Sequence, residues 1–127
     1  MLDHIDFAVS DLARSRAFYT RVLAPLGMAP VLEIARDDGR EGTGYGPPGR
    51  PLFWIGRGDR LTGRLHVAFS ADTREQVDAF HRAALAAGAG DNGAPGLRPR
   101  YHPHYYAAFV LDPDGHNIEA VCHRPPA

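Results

Sequence analysis

The stretch FVLDPDGHNIEAV, Phe109 to Val121, decides how this chain is read. It divides into a strand, a tight turn and a second strand. Asp112-Pro113-Asp114-Gly115 supplies the turn, because proline presets φ and glycine accepts backbone geometry that other residues resist. In the strand that follows, Ile118, Ala120 and Cys122 share one face; Asn117, Glu119, Val121 and His123 share the other. A carboxylate inside a strand, between apolar neighbours, calls for a physical reason.

Working outward, Tyr105 to Leu111 is the strand that enters the turn. Further upstream, LHVAFSA, Leu65 to Ala71, alternates. Val67, Phe69 and Ala71 form its apolar face, and His66, Ala68 and Ser70 its other face. Asp72-Thr73 with Glu75-Gln76 behind it is a capping signal. Arg74 to Ala87 then reads as a helix with Val77, Phe80, Ala84 and Leu85 on one side, ending at Gly88. The first half of the chain follows the same plan. HIDFAV, His4 to Val9, is an alternating strand. Ser10-Asp11 caps a helix over Leu12 to Leu23, Met28 to Ala35 is a strand, and PLFWIG, Pro51 to Gly56, is another.

A shift of 62 positions superposes the halves without gaps: His4 on His66, Phe7 on Phe69, Ala17 on Ala79, Phe18 on Phe80, Leu23 on Leu85. The matches fall on strand starts and buried faces, so the chain is one βαβββ unit written twice. The glycine- and proline-rich stretches Asp38–Pro51 and Gly88–Pro103 read as two long loops, the first a flexible flap that includes Tyr45.

The bulk properties narrow the field. The chain has 127 residues, a comfortable size for one domain, and a formal net charge of −1. Nothing pulls it toward nucleic acid or an anionic membrane. Cys122 is its only cysteine and can form no intrachain disulfide. The start MLDHIDFAVSD lacks a basic region followed by an apolar core, and no apolar run reaches membrane-spanning length. A soluble cytoplasmic protein is the expectation.

If helices cover the apolar faces, His4, His66 and Glu119 all point to the opposite side. Two imidazoles and a carboxylate from separate strands compose a site for one divalent metal ion, Fe, Mn, Ni or Zn, with positions left open for substrate. The competing reading makes His66 a satisfied core histidine and Glu119 the partner of an arginine.

The stretches HIDFAVSDLARSRAFYTRVLAPLGM, LHVAFSA and FVLDPDGHNIEAV resemble the vicinal oxygen chelate superfamily of glyoxalase I, extradiol dioxygenases and bleomycin- or fosfomycin-resistance proteins. The resemblance runs over nearly the whole chain and is most specific at its DPDG-x-x-I-E ending. It implies an α+β fold of two βαβββ modules, 1–58 and 63–124 within one domain of 1–127, forming a cupped eight-stranded mixed sheet, and a homodimer. It puts the metal ligands at His4, His66 and Glu119. It also implies a lyase or dioxygenase acting on a small molecule that chelates the metal through vicinal oxygens, or else a metal-free drug-binding protein of the bleomycin-resistance type.

One departure matters. The family's fourth ligand belongs on the last strand of the first module, where RPLFWIGRG, Arg50 to Gly58, carries no Asp, Glu or His. Trp54 stands there, which argues against ordinary glyoxalase I activity. The run YHPHYY, Tyr101 to Tyr106, reads as a substrate-contacting loop, as donors around a metal, or as an aromatic edge strand. Tyr101, His102 and Tyr106 are candidate substrate contacts together with Trp54 and Tyr45. His104 and Tyr105 are candidate acid–base groups beside Glu119. His81 is expected at the surface or in packing, His116 to be exposed, and Cys122 to be an inert buried thiol.

Overall fold

A computed structural model describes residues 1–126. The first half runs β1 (Ile5–Val9), α1 (Leu12–Leu23), a single 3₁₀ turn (Ala24–Leu26), β2 (Ala29–Ala35), β3 (Glu41–Gly46) and β4 (Phe53–Arg57). The second half repeats it as β5 (His66–Ser70), α2 (Arg74–Ala86), β6 (Gly90–Leu97), β7 (Tyr106–Leu111) and β8 (Asn117–Cys122). Hydrogen bonds divide the eight strands into two four-stranded mixed sheets, ordered β1-β4-β3-β2 and β5-β8-β7-β6. In each, the first strand pairs in parallel with the last, and the remaining pairs are antiparallel. The fold is α+β, two βαβββ modules.

Local chemistry sets the helices. Asp11 caps α1 by accepting the Arg14 N–H at 3.0 Å, and Gly27, at φ 78°, turns the chain out of the 3₁₀ turn. Thr73 and Gln76 form a reciprocal capping box at α2, an arrangement whose loss costs about 1 kcal/mol. Phe18, Val22 and Leu23 of α1 and Val77, Phe80 and Ala84 of α2 are buried against the sheets. Each large side chain among them contributes roughly 2–3 kcal/mol of apolar burial.

The stretches expected to be loops both contain strands. Residues Glu41–Gly46 form β3, an interior strand of the first sheet, and Gly42 to Gly46 are buried. The glycines are there for close approach rather than mobility. A Cβ on Gly46 would lie 1.9 Å from the Arg50 carbonyl oxygen, and one on Gly44 would lie 2.8 Å from the Trp54 ring. Residues Gly90–Leu97 form β6 at the outer edge of the second sheet, with its register broken around Gly93. Glycine-rich strands lose the β-branched signal that marks strands in sequence, which is why both read as loops.

The modules share a core. Phe53 of β4 meets Phe69 of β5 edge-on with ring centroids 5.0 Å apart. The turn after β7 then docks onto the first module. Tyr19 of α1 donates its hydroxyl to Asp112, and Ser10 donates its backbone N–H to Asp114 at 2.9 Å and its hydroxyl to the same carboxylate. Asp112 also accepts the N–H groups of Asp114 and His116, each at 2.9 Å. The turn thus fixes its own shape and the module junction at once. His116 is buried, not exposed as expected, because the docked turn lays its ring edge-on against Phe7 at 5.8 Å.

Candidate functional site

The site is built on β5, β7 and β8. The register puts Glu119 of β8 between Ala68 of β5 and Phe109 of β7. Its side chain is only 1% exposed, yet among the described residues no arginine partners it. Instead His66, two residues before Ala68 and on the same face, brings Nε2 to within 2.7 Å of Glu119 Oε1. On the other side the Tyr105 hydroxyl donates to Glu119 Oε2. The His66 side chain is 51% exposed, so the pair opens to solvent on the imidazole side. Burial and the hydrogen bond to the Glu119 carboxylate push Tyr105 up to about 12. Tyr105 therefore stays a proton donor across the neutral range.

The other residues singled out in the sequence fall in different places. His4 lies on the matching face of the first module, exposed, with Nδ1 at 2.7 Å from Asp3. Among the described residues, no three His, Cys, Asp or Glu side chains of this chain gather closely enough to hold an ion. Trp54 of β4 is opposite Asp6 of β1, as Glu119 is opposite Ala68, so it occupies the register position of Glu119 in the first module. Tyr45 is fully buried in β3, with its hydroxyl 3.1 Å from the Arg16 carbonyl and from the Thr20 hydroxyl. Tyr106 donates to Asp78 of α2 at 2.6 Å, a bond that pushes it up to about 12. The structure brings neither Tyr45 nor Tyr106 to the Glu119 pair.

The β6–β7 loop supplies the rest. Tyr101 and His102 flank Tyr105, with ring centroids at 4.9 Å and 5.5 Å. His104 is exposed, and only its backbone N–H is engaged, on His102 Nδ1 at 3.0 Å. His123, just past β8, comes within 2.6 Å of His102. Sequence reading passed over His123 as a site residue, although its alternation with Glu119 put both on one face. It also passed over Asp112, Asp114 and Tyr19, which brace the turn. His81 is buried and reaches Asp91 at 3.1 Å, and Cys122 is buried with its thiol 3.6 Å from the Asp72 carbonyl.

The donor set at Glu119 fits a divalent ion. An imidazole nitrogen and a carboxylate oxygen lie side by side, the carboxylate is buried with its second oxygen held, and one side is open.

The comparisons with known proteins agree with the architecture. The model of the Glyoxalase/Bleomycin resistance protein/Dioxygenase superfamily matches residues 1–120, and this chain belongs to that superfamily. It is similar to the crystal structure of a glyoxalase/bleomycin resistance protein from Albidiferax ferrireducens T118, at 32% identity over 97% of this chain and 98% of that one, with a TM-score of 0.77. A glyoxylase/bleomycin resistance protein/dioxygenase domain from Frankia sp. EAN1pec matches at 20% identity over 98% of both chains, with a TM-score of 0.75. The fosfomycin resistance protein FosX from Listeria monocytogenes, crystallised with Mn(II) and sulfate, matches at 21% identity over 96% of this chain and 91% of that one, TM-score 0.68. The last two likenesses speak for the fold alone. No curated protein sequence matches significantly. Among the described residues, no helix is long and apolar enough to cross a membrane.

Proposed function

We propose that this chain is a divalent-metal-dependent enzyme acting on a small molecule that presents two neighbouring oxygens, a lyase or a dioxygenase. In this reading His66 and Glu119 hold one Fe, Mn, Ni or Zn ion, and His4 of a second copy completes the ligand set in a homodimer. The observation that carries it is the pairing of an almost fully buried carboxylate with a half-exposed imidazole at 2.7 Å. A buried carboxylate without an arginine partner is costly to keep, and a metal ion is a partner that repays it. The exposed His4, joined among the described residues only to Asp3, supports completion by another copy.

A bound divalent ion would supply Lewis acidity, polarising a substrate oxygen and stabilising the charge that develops on it. The chain's own residues do the rest. Tyr105 keeps its proton below about pH 12 and donates it to Oε2, which fixes the carboxylate's rotation and aims Oε1 toward His66. Phe109, 6.1 Å from the His66 ring, forms an apolar wall beside the imidazole. Proton transfer to or from substrate falls to Glu119 itself or to an imidazole of the β6–β7 loop, since Tyr105 is committed as a donor.

A second reading has one observation in its favour. Trp54, at the first module's equivalent of Glu119, presents an aromatic wall and no ligand. That suits a metal-free binding protein of the bleomycin-resistance type, which would sequester a small molecule without chemistry.

Elemental analysis of untagged protein, wild type beside His66→Ala, separates the two. The metal reading expects one equivalent of Fe, Mn, Ni or Zn per chain, absent from the variant. Iron would direct the search toward oxygen chemistry, nickel or zinc toward isomerase or lyase chemistry. A wild type that takes up no metal even on reconstitution contradicts the metal reading and leaves the binding protein.

A further inference from the structure

We propose that His102 and His123 are positioning residues: a neutral imidazole pair, locked in one tautomeric state, that holds Tyr105 against Glu119 and lets it go when either ring gains a proton. The functional consequence rests on reading Glu119 as the site's carboxylate. The hydrogen-bond chain itself does not depend on a metal.

The tautomers follow from who can donate. The His104 backbone N–H has only a proton to give, and it points at His102 Nδ1 from 3.0 Å. His102 Nδ1 must therefore be the unprotonated nitrogen, which puts the ring's proton on Nε2. His102 Nε2 lies 2.6 Å from His123 Nδ1. With the proton on His102 Nε2, His123 Nδ1 must accept, and the proton of His123 sits on its own Nε2. Every position in the chain is assigned, and both rings are neutral.

An extra proton has no place in this arrangement. Added to His102 it would have to go on Nδ1, against the His104 N–H. Added to His123 it would go on Nδ1, against the His102 N–H. Either way one hydrogen bond is exchanged for two opposed donors. The surroundings give an imidazolium no support. The charged or titratable groups about the pair include Tyr101, His104 and Tyr105 of the loop; Arg98, whose backbone N–H bonds Tyr105 O and whose guanidinium lies 5.4 Å from the Phe109 ring; Arg100, whose guanidinium lies 5.0 Å from the Tyr101 ring; Arg124, which turns to Asp72 at 3.5 Å; and Glu119, bonded to Tyr105. Among the described residues neither imidazole has a carboxylate partner.

The pair also has a mechanical effect. The two rings lie end to end, 21° from coplanar with centroids 4.9 Å apart, and both sit edge-on to Tyr105, at 5.5 Å and 5.1 Å. His102 rides on the β6–β7 loop and His123 on the chain leaving β8. Their hydrogen bond ties the loop to the strand that carries Glu119, with the Tyr105 ring packed beside both imidazoles. Loss of the tie leaves the loop its own backbone bonds, Arg98 N–H to Tyr105 O at 2.7 Å and Tyr105 N–H to His102 O at 3.2 Å, and leaves the Tyr105–Glu119 bond and the Tyr106–Cys122 pair to hold this end against β8 without the imidazoles.

The test is NMR on metal-free, ¹⁵N-labelled protein. Long-range correlations of the imidazole rings at about pH 8 are expected to give both His102 and His123 as Nε2–H tautomers. The Tyr105 hydroxyl proton is expected to be protected there and to be less protected at a pH acidic enough to protonate either ring. His123→Phe keeps an aromatic ring beside Tyr105 but removes the acceptor, and is expected to speed hydroxyl exchange about tenfold at neutral pH. His123→Asn restores an acceptor at the Nδ1 position and is expected to restore protection. A His102 found as the Nδ1–H tautomer overturns the proposal. So does a folded His123→Phe whose Tyr105 hydroxyl is protected as in wild type. If His123→Phe does not fold, a folded His123→Asn that loses protection overturns it as well. A wild type that binds no metal but has both tautomers as expected would sink the metal reading and keep the clamp.

Discussion

The two modules present the same row of the sheet with different side chains. In the first the row reads Asp6, Trp54, Gly44, Leu32 across β1, β4, β3 and β2. In the second it reads Ala68, Glu119, Phe109, Gly93 across β5, β8, β7 and β6. Each row has one large aromatic lying over a glycine of the next strand outward. A Cβ on Gly44 would meet the Trp54 ring at 2.8 Å, and one on Gly93 would meet Phe109 at 2.9 Å. In the second module the aromatic has moved one strand away from the centre. That vacates the β8 position, and Glu119 takes it. A duplicated fold can thus keep its packing rule, one ring over one glycine, while only the second copy puts a carboxylate at the position the ring leaves.

The comparison can be broken at the glycines. Gly46→Ala should have the largest effect on stability, about 3 kcal/mol or more, because its Cβ would lie 1.9 Å from a backbone oxygen that cannot turn aside. Gly90→Ala, in the second module's outer strand, meets only the Leu111 side chain at 3.5 Å and should cost under about 1 kcal/mol. Urea unfolding of the two variants side by side measures both. Equal losses would mean that the glycine-rich strands are equivalent and that close approach is not what sets them.

A smaller effect is expected where the helices differ. Tyr19 and His81 are equivalent in the repeat, and each reaches a carboxylate. Tyr19 reaches the buried Asp112, while His81 reaches Asp91, whose side chain is 52% exposed. Tyr19→Phe leaves a buried oxygen short of a donor and should cost roughly 1–3 kcal/mol; His81→Phe should cost less than about 1 kcal/mol. Thermal melts of both would sharpen the claim that the DPDG turn, rather than the α2–β6 contact, carries the polar stabilisation.

The weakest expected signature is in alkali. Burial and Asp112 raise Tyr19 well above its ordinary value, and Tyr105 and Tyr106 are pushed up to about 12. A raised tyrosine keeps its proton in the folded state while the unfolded chain loses it. The stabilisation is therefore complete below about pH 10 and is lost as pH rises toward 12. Tyr105→Phe should flatten the fall in melting temperature over that window, and a slope unchanged by the substitution would contradict its bond to Glu119.

Much of this was legible in the sequence, and the reasons are particular. Period-two alternation marked β1, β5 and β8, and caps marked both helices, because those elements bury one face and leave the other open. The repeat exposed the duplication because His4, Phe7 and Phe18 recur in register. Strands β3 and β6 were hidden because EGTGYG and GDNGAPGL carry their information in what is missing: side chains absent where a ring must lie. At the site, Glu119 and His66 could be read from alternation and so could be paired. The ring-to-ring contact of His102 and His123 depends on a loop folding back 21 residues along the chain, and no local pattern announces it. His116 misled because its turn looks solvent-facing until the turn is seen docked on the first module.

In the proposed function the second module, and not the first, supplies the carboxylate that holds a metal. The most direct measurement is titration with Mn(II), followed by electron paramagnetic resonance, of wild type, Glu119→Gln and Trp54→Phe. The account predicts one bound Mn(II) per wild-type chain, an affinity lower by about a hundredfold or more in Glu119→Gln, and little change in Trp54→Phe. No bound Mn(II) in the wild type, or equal binding by Glu119→Gln, would contradict it.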